Sequence, residues 1–348
     1  MISIIGAGPA GSYLASLLKQ DVRIFDYKEK IGKPIQCTGV LTNQFETFIM
    51  EKKFIDNKIS NIELNSANES CTIRLKKHEF VIDRHKYDNY LLEKAIDSGA
   101  KFYPKHMLRS FSKNKVYFAN SKSYNTDIII GADGPVSRVN KIAGIQGKKH
   151  WVAKQIKVKY RTDPSTYRVF FNIPDFFSWV VPESESVARI GCASEKNVNF
   201  HFQSLIKRLK VSEKNIIENQ GALIPQYSPF QKYSKGNVYL IGDAASQVKS
   251  ISGGGLLPSI KAGHALADSL NSNKSYFSEL KNLRKNLNLN YLTRKFLNRL
   301  SEKDYDELIR ILNRCNLNHL DRDDLKISDF MKPELALFSA KAIIGSFG

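Results

Sequence analysis

Ile2-Ser3-Ile4-Ile5-Gly6-Ala7-Gly8-Pro9-Ala10-Gly11-Ser12 opens the chain and decides its fold. Four largely β-branched residues run straight into Gly6-x-Gly8-x-x-Gly11, and a helical pattern occupies residues 12–18. A strand, a glycine turn and a helix in that order are what a dinucleotide fingerprint requires. The glycines make the tight turn and let backbone approach a pyrophosphate at the positive end of the helix. A second apolar strand, residues 22–25, ends in Asp26, at the spacing where a carboxylate accepts hydrogen bonds from adenosine ribose hydroxyls. Gly6, Gly8, Ala10, Gly11 and Asp26 are therefore the first candidate binding residues. GxGxxG alone also occurs in ordinary glycine-rich turns; the strand, helix and acid in register favour a dinucleotide.

Two later strands end in glycine–acid pairs. Residues 127–130 (DIII) lead into Gly131-Ala132-Asp133-Gly134, with Ser137-Arg138 just beyond, and residues 238–241 (VYLI) lead into Gly242-Asp243-Ala244-Ala245. Asp83-Arg84 opens a helix carrying Tyr87-Asp88-x-x-Leu91. In this order the chain resembles the FAD-binding family of aromatic hydroxylases and their relatives, with its DG and GD motifs. The resemblance implies FAD rather than NAD, with Asp243 on the ribitol chain and Asp133 and Gly134 near flavin and pyrophosphate. It also implies that Arg84 reaches the cofactor, and Leu108 is counted among the cofactor residues. Each motif alone also reads as a surface turn after a strand.

Ile251-Ser252-Gly253-Gly254-Gly255-Leu256-Leu257 precedes a helical run over residues 259–270. Three glycines remove side chains where backbone must approach closely, and the helix start presents N–H groups and a positive dipole end. Gly254, Gly255 and Leu256 are thereby expected at the flavin edge, where that end stabilises negative charge on the reduced ring.

Two further stretches sharpen the resemblance: Gly32-Lys33-Pro34-Ile35-Gln36-Cys37-Thr38-Gly39-Val40-Leu41 and Pro174-Asp175-Phe176-Phe177-Ser178-Trp179-Val180-Val181-Pro182. With them the chain resembles the geranylgeranyl reductase family, flavoproteins that saturate prenyl chains, including those of archaeal membrane lipids. Its members carry a G-x-P-x-x-C-x-G-like stretch whose cysteine faces the isoalloxazine. Carried over, Cys37 is the catalytic candidate, and Thr38 and Val40 line the flavin. A P-x-x-Y-x-W-x-F-P motif shapes the family's prenyl channel. Pro174, Trp179 and Pro182 match it; Phe177 replaces Tyr and Val181 replaces Phe, so a hydroxyl is lost and an apolar wall remains. Alternating large residues on a strand give one aromatic face, suited to an extended hydrocarbon and equally to a sheet core. A lone cysteine is also commonly a small buried hydrophobe. The resemblance covers residues 1–272 and weakens beyond.

The expected fold class is α/β with α+β character: a Rossmann-type FAD-binding domain of the aromatic-hydroxylase class, an inserted β-sheet substrate domain and a C-terminal helical module. The 348 residues suffice for two joined domains. Expected boundaries are 1–60, 83–150 and 234–272 for FAD, and 61–82 and 151–233 for substrate. The helical module takes 273–348, where Leu283, Leu287, Tyr291, Phe296 and Leu300 recur at helix spacing. No apolar run approaches the ~20 residues that span a bilayer, and Met1 enters the first strand almost directly, leaving no room for a signal peptide. Cys37, Cys71, Cys192 and Cys315 show neither CxxC nor metal-ligand spacing. The expectation is a cytoplasmic protein without structural disulfides or metal.

Lys and Arg number 53 against 34 acids, a formal charge of +19, which favours acidic partners. The basic residues are spread and no nucleic-acid motif appears, so nucleic acid is set aside. An anionic membrane surface, met transiently at the inner face of the cell membrane, and an acidic ferredoxin-like carrier remain; a solvated lysine-rich surface explains the charge as well. One fingerprint rather than two leaves the electron donor open between such a carrier and NAD(P)H. The reading is an FAD-dependent reductase that saturates prenyl C=C bonds, those of membrane ether lipids foremost. Hydride goes from reduced flavin to one carbon, and a proton from Cys37 or water to the other. One competitor is an FAD-dependent monooxygenase or halogenase on an apolar substrate, because Phe177-x-Trp179-x-Val181-Pro182 also resembles W-x-W-x-I-P without its first Trp. The other is a non-catalytic flavoprotein or lipid carrier. A disulfide reductase is disfavoured, since Cys37 has no nearby redox partner in the sequence.

Overall fold

The opening apolar run forms an inner strand of a parallel sheet. In the computed structural model, which describes residues 1–48, 51–145, 147 and 149–314, Ile2–Ile5 lies between Val22–Phe25 and Ile128–Gly131. All four of its residues are buried, as a parallel strand covered on both faces demands. Lys101–Tyr103 and Val238–Leu240 continue the parallel sheet, and Ser234–Lys235 adds an antiparallel edge. Parallel strands carry their carboxyl ends to one side. The fingerprint after Ile5, Asp26 after Phe25, the Asp133 turn after Gly131 and the Asp243 turn after Leu240 therefore converge there, although they lie far apart in sequence.

This first unit comprises residues 1–35, 84–150 and 223–292. The helices Pro9–Ala15, Arg84–Asp97 and Leu256–Ser272 belong to it, and its core joins Ile4, Leu14, Ile24, Ile129, Leu240 and Leu266. The fingerprint helix starts at Pro9, earlier than the pattern suggested, because proline is suited to the first turn, where its missing N–H is not needed.

Of the described residues, the second unit comprises those in 36–83 and 151–222, together with 293–314. An eight-stranded sheet runs in the order Ile216–Pro225, His150–Lys159, Val187–Ser194, Ser178–Pro182, Thr166–Phe170, Ile55–Asn65, Ser70–Ile82, Val40–Leu41. The helix Val198–Arg208 packs Phe202 and Leu205 with Ile156, Val158 and Ile190. This division departs from the sequence boundaries. Residues 36–60 fall with the large sheet because Val40–Leu41 pairs with Val81 and Phe80, and Ile55–Asn65 with the strand Ser70–Ile82. Residues 273–292 fall with the first unit, where Leu280, Leu283 and Leu287 enter its core. Residues 315–348, including Cys315, lie outside the described residues.

Candidate functional site

In the first unit the fingerprint glycines do two different jobs. Gly6 has φ +108°, and a Cβ there would stand 2.3 Å from the Ala132 carbonyl oxygen; a Cβ on Gly11 would stand 2.1 Å from the Gly6 carbonyl. Both are demanded by backbone packing. A Cβ on Gly8 meets nothing within 4 Å. Its open side lies at the start of the helix Pro9–Ala15, which no side chain caps, and a pyrophosphate suits both the space and the dipole. Asp26, 9% exposed, accepts the Ala7 N–H on one oxygen and the Lys28 N–H on the other, each at 2.8 Å.

The later motifs join this cradle. A Cβ on Gly242 would lie 2.9 Å from the Ala10 methyl, so the turn before Asp243 packs on the fingerprint helix. A Cβ on Gly255 would lie 2.8 Å from Asp243 Oδ1, which brings the third glycine cluster to the second. The helix Leu256–Ser272 begins at Gly255 without a side-chain cap, and a helix start in that condition is suited to an anion. Gly254 beside it is exposed and Leu256 is half-buried.

Three predicted cofactor residues are otherwise engaged. Arg84 forms a bidentate pair with Asp88 on its own helix, Nε at 2.9 Å and Nη2 at 3.0 Å. Asp133 caps the helix Arg138–Ala143: it accepts the Ser137 hydroxyl at 2.5 Å and the Arg138 and Val139 N–H groups at 2.6 and 3.0 Å. Burial pushes its carboxyl above the ordinary range against those bonds. Leu108 is a core side chain. Gly134 keeps an open side.

In the second unit the segment Cys37–Val40 is held by two buried side chains that sequence reasoning missed. Gln155 Oε1 accepts both the Thr38 hydroxyl at 2.9 Å and the Trp179 indole N–H at 2.8 Å, and its Nε2 donates to Gln220 at 2.5 Å. One oxygen thus joins the cysteine loop to the aromatic motif. Arg189, 2% exposed, donates to the Thr38 carbonyl at 2.5 Å, the Ile82 carbonyl at 3.2 Å, Glu183 at 2.5 Å and Asp56 at 3.3 Å. Lys157 adds a second cation on Glu183. A buried guanidinium is tolerated only with such compensation. Gly39 has φ +73°, and a Cβ there would stand 2.6 Å from Arg189 Nη1. Cys37 is half-buried, and its Sγ accepts the Gly39 N–H at 3.3 Å.

The aromatic motif forms a packed wall. Phe176 stacks on Phe177 at 4.4 Å and 12°, Trp151 lies 4.8 Å from Phe176, and Trp179 meets Phe177 at 5.9 Å. Phe177, Trp179 and Pro182 are buried and Pro174 is exposed. A Cβ on Gly191 would lie 2.7 Å from the Trp179 ring, so only glycine leaves room for the indole. Arg294, 3% exposed, sits 5.1 and 5.8 Å over the Phe176 and Phe177 rings, and burial pulls its guanidinium down to about 10. Arg189 stood out in sequence as a single charge inside the apolar run Val187–Cys192, whereas Gln155 beside Lys154 and Arg294 between Thr293 and Lys295 carried no such signal.

Parallel strands ending in the fingerprint and the two glycine–acid turns, in one chain with a largely antiparallel second sheet, define the FAD-binding fold of the aromatic-hydroxylase class. No protein-family model matches the chain. Digeranylgeranylglycerophospholipid reductase 3 of Methanosphaera stadtmanae is 26% identical over 371 residues, covering 93% of each chain. An uncharacterised protein of Methanosarcina barkeri is 30% identical over 297 residues, 78% of this chain and 74% of its own. A geranylgeranyl bacteriochlorophyll reductase-like protein of Thermoplasma acidophilum superposes with a TM-score of 0.83 at 19% identity, covering 99% of this chain and 96% of its own. A flavin-dependent brominase reaches a TM-score of 0.67 at 15% identity, covering 97% and 92%, and shares the fold alone. Digeranylgeranylglycerophospholipid reductases recur among the curated relatives that the chain resembles over most of its length.

Proposed function

We propose that this protein is an FAD-dependent reductase that saturates C=C bonds of prenyl chains, with those of ether glycerophospholipids as its substrate class. The observation that carries the reading is the shared oxygen of Gln155, which ties the Cys37–Thr38 loop to Trp179 of the aromatic wall. The relative matched over 93% of its length is named for this reaction on a digeranylgeranyl lipid.

The residues present fit FAD. Asp26 uses one lone pair of each oxygen on an amide and keeps others for ribose hydroxyls. The open side of Gly8 takes the pyrophosphate, and the uncapped start of the helix Leu256–Ser272 favours negative charge. When bound, FAD supplies the hydride that an unactivated alkene needs. Cys37 holds the proton for the second alkene carbon at Sγ, and the Gly39 N–H steadies the charge that remains on sulfur after transfer. Hydride and proton together add two hydrogens per bond. Phe177 and Trp179 keep the chain extended and exclude water. Among the described residues no helix is long and apolar enough to cross a membrane; the matching proposal is transient contact with an anionic membrane surface through the surplus positive charge.

The test is mass spectrometry of a geranylgeranyl glycerophospholipid after anaerobic incubation with protein, FAD and dithionite. Stepwise gain of two hydrogens per bond is expected, and Cys37→Ala retains FAD while losing roughly 100-fold or more in rate. Unchanged lipid in the presence of demonstrably reduced flavin refutes the reading.

A further inference from the structure

The hairpin of the second unit carries a feature that the flavin and prenyl readings do not use. Its strands pair Ile59 with Glu79 and Asn61 with Arg74. Ser60 alone therefore faces residues 75–78, and the longer side bulges outward. The bulge displays Lys76, Lys77 and His78, all exposed, while Leu75 turns inward at 7% exposure. Beside it lies a cleft of about 560 Å³, lined by Lys58 and Ser60 from one strand, Arg74 to His78 and Phe80 from the other, and Asn43 and Glu46 from the turn Asn43–Thr47.

We propose that this cleft is a phosphate-recognition site that takes the phosphate or diphosphate end of an amphiphile. Four fixed positive charges, Lys58, Arg74, Lys76 and Lys77, face one carboxylate, Glu46. Among the described residues none of the four is engaged in an ion pair. Crowded like charges repel, and a bound dianion removes that repulsion while gaining charge-assisted hydrogen bonds. Arg74 offers a planar fork and the lysines mobile point charges, the combination that phosphate oxygens accept. The Ser60 hydroxyl and His78 Nδ1, 3.0 Å apart, add neutral polar groups at the rim. Leu75 and Phe80, both nearly buried, give the cleft an apolar side where the first carbons of an ester chain would lie. Its volume falls within the ~300–1,000 Å³ of small-molecule sites. Phosphate recognition itself is independent of the reductase reading; only the choice of an amphiphile rests on it.

The test uses the full chain loaded with FAD and needs no turnover. Calorimetric titration with sodium pyrophosphate should show saturable binding, weakened roughly tenfold in Arg74→Gln/Lys77→Gln. Lys141→Gln/Lys274→Gln, which removes the same charge elsewhere, should leave it unchanged. Both variants alter exposed side chains and should melt with the parent. Sedimentation with phosphatidylcholine vesicles, with and without phosphatidylglycerol, separates the sources. Loss of vesicle binding in the cleft variant assigns the site to a lipid head group. Vesicle binding retained alongside lost pyrophosphate binding assigns it to soluble phosphates; both outcomes support the shared chemistry. Absence of saturable pyrophosphate binding overturns the proposal, as does equal weakening in both variants. Retention on polyglutamate without pyrophosphate binding overturns it in favour of an acidic protein partner.

Discussion

Replacing Gln155 by Leu removes the oxygen that two donors share and also the amide N–H that the buried Gln220 Oε1 accepts. Trp179 Nε1 is buried and loses its only described partner, while the Thr38 hydroxyl is half-buried and recovers part of its bonding from water. A buried donor left unsatisfied costs about 1–3 kcal/mol, and a recovered one less. Gln220 Oε1, buried and left without its donor, adds a similar penalty; the apolar area of Leu offsets a fraction, so the expected net loss is about 3–5 kcal/mol. Urea unfolding of the FAD-loaded chain measures it through a lower midpoint at unchanged slope. Thr38→Val isolates one arm, and a double-mutant cycle between the two sites should show a coupling of roughly 0.5–1.5 kcal/mol. The prenyl-reduction rate should fall in the same variants, because misplacing a reacting group by about 1 Å costs on the order of 100-fold. If Gln155→Leu and Thr38→Val add within about 0.3 kcal/mol, the shared acceptor does not hold the loop and the reasoning fails.

Gly39→Ala forces a methyl to within 2.6 Å of Arg189 Nη1 at a φ of +73°, so either the loop or the guanidinium must move. The expected loss is about 2–4 kcal/mol by denaturant titration, and Arg189→Met, which leaves Glu183 and Asp56 without their guanidinium, should cost about 3–5 kcal/mol. Burial pushes the Cys192 thiol up to about 12. A raised thiol favours the folded state fully below pH 9.0, the ordinary thiol value, and that contribution is lost progressively as pH rises from there to about 12. Iodoacetamide at pH ~8 should therefore spare Cys192 in the folded chain and modify it in urea, with peptide mass mapping as the readout; rapid folded-state labelling contradicts the burial.

The parts of the site legible in the sequence are those built from neighbours. Gly6, Gly8, Gly11 and Asp26 lie within one strand–turn–helix–strand unit, where each residue's constraint comes from the next few. The close approach at Gly255 was readable because three glycines before a helix clear side chains where a neighbour must come near, here Asp243. Asp133 shows where a local motif has a local destination: its carboxylate is spent on Ser137 and the next two amides, so the side chain begins a helix. The anchors of Cys37 were not readable. Gln155 and Arg189 lie 117 and 151 residues from Thr38, and nothing near either one specifies a partner at that range. The same long-range pairing hid the boundary at residue 36, since Val40 and Leu41 have too little composition to announce which sheet they join.

Because Gln155 Oε1 serves two masters, the wall and the thiol loop share a single fastening. Turning the Trp179 indole would therefore draw on the oxygen that also restrains Thr38, next to Cys37 in the chain. On the proposed reading, a hydrocarbon seated against the wall would press on the same oxygen that restrains Thr38, so one fastening would serve both chain and thiol.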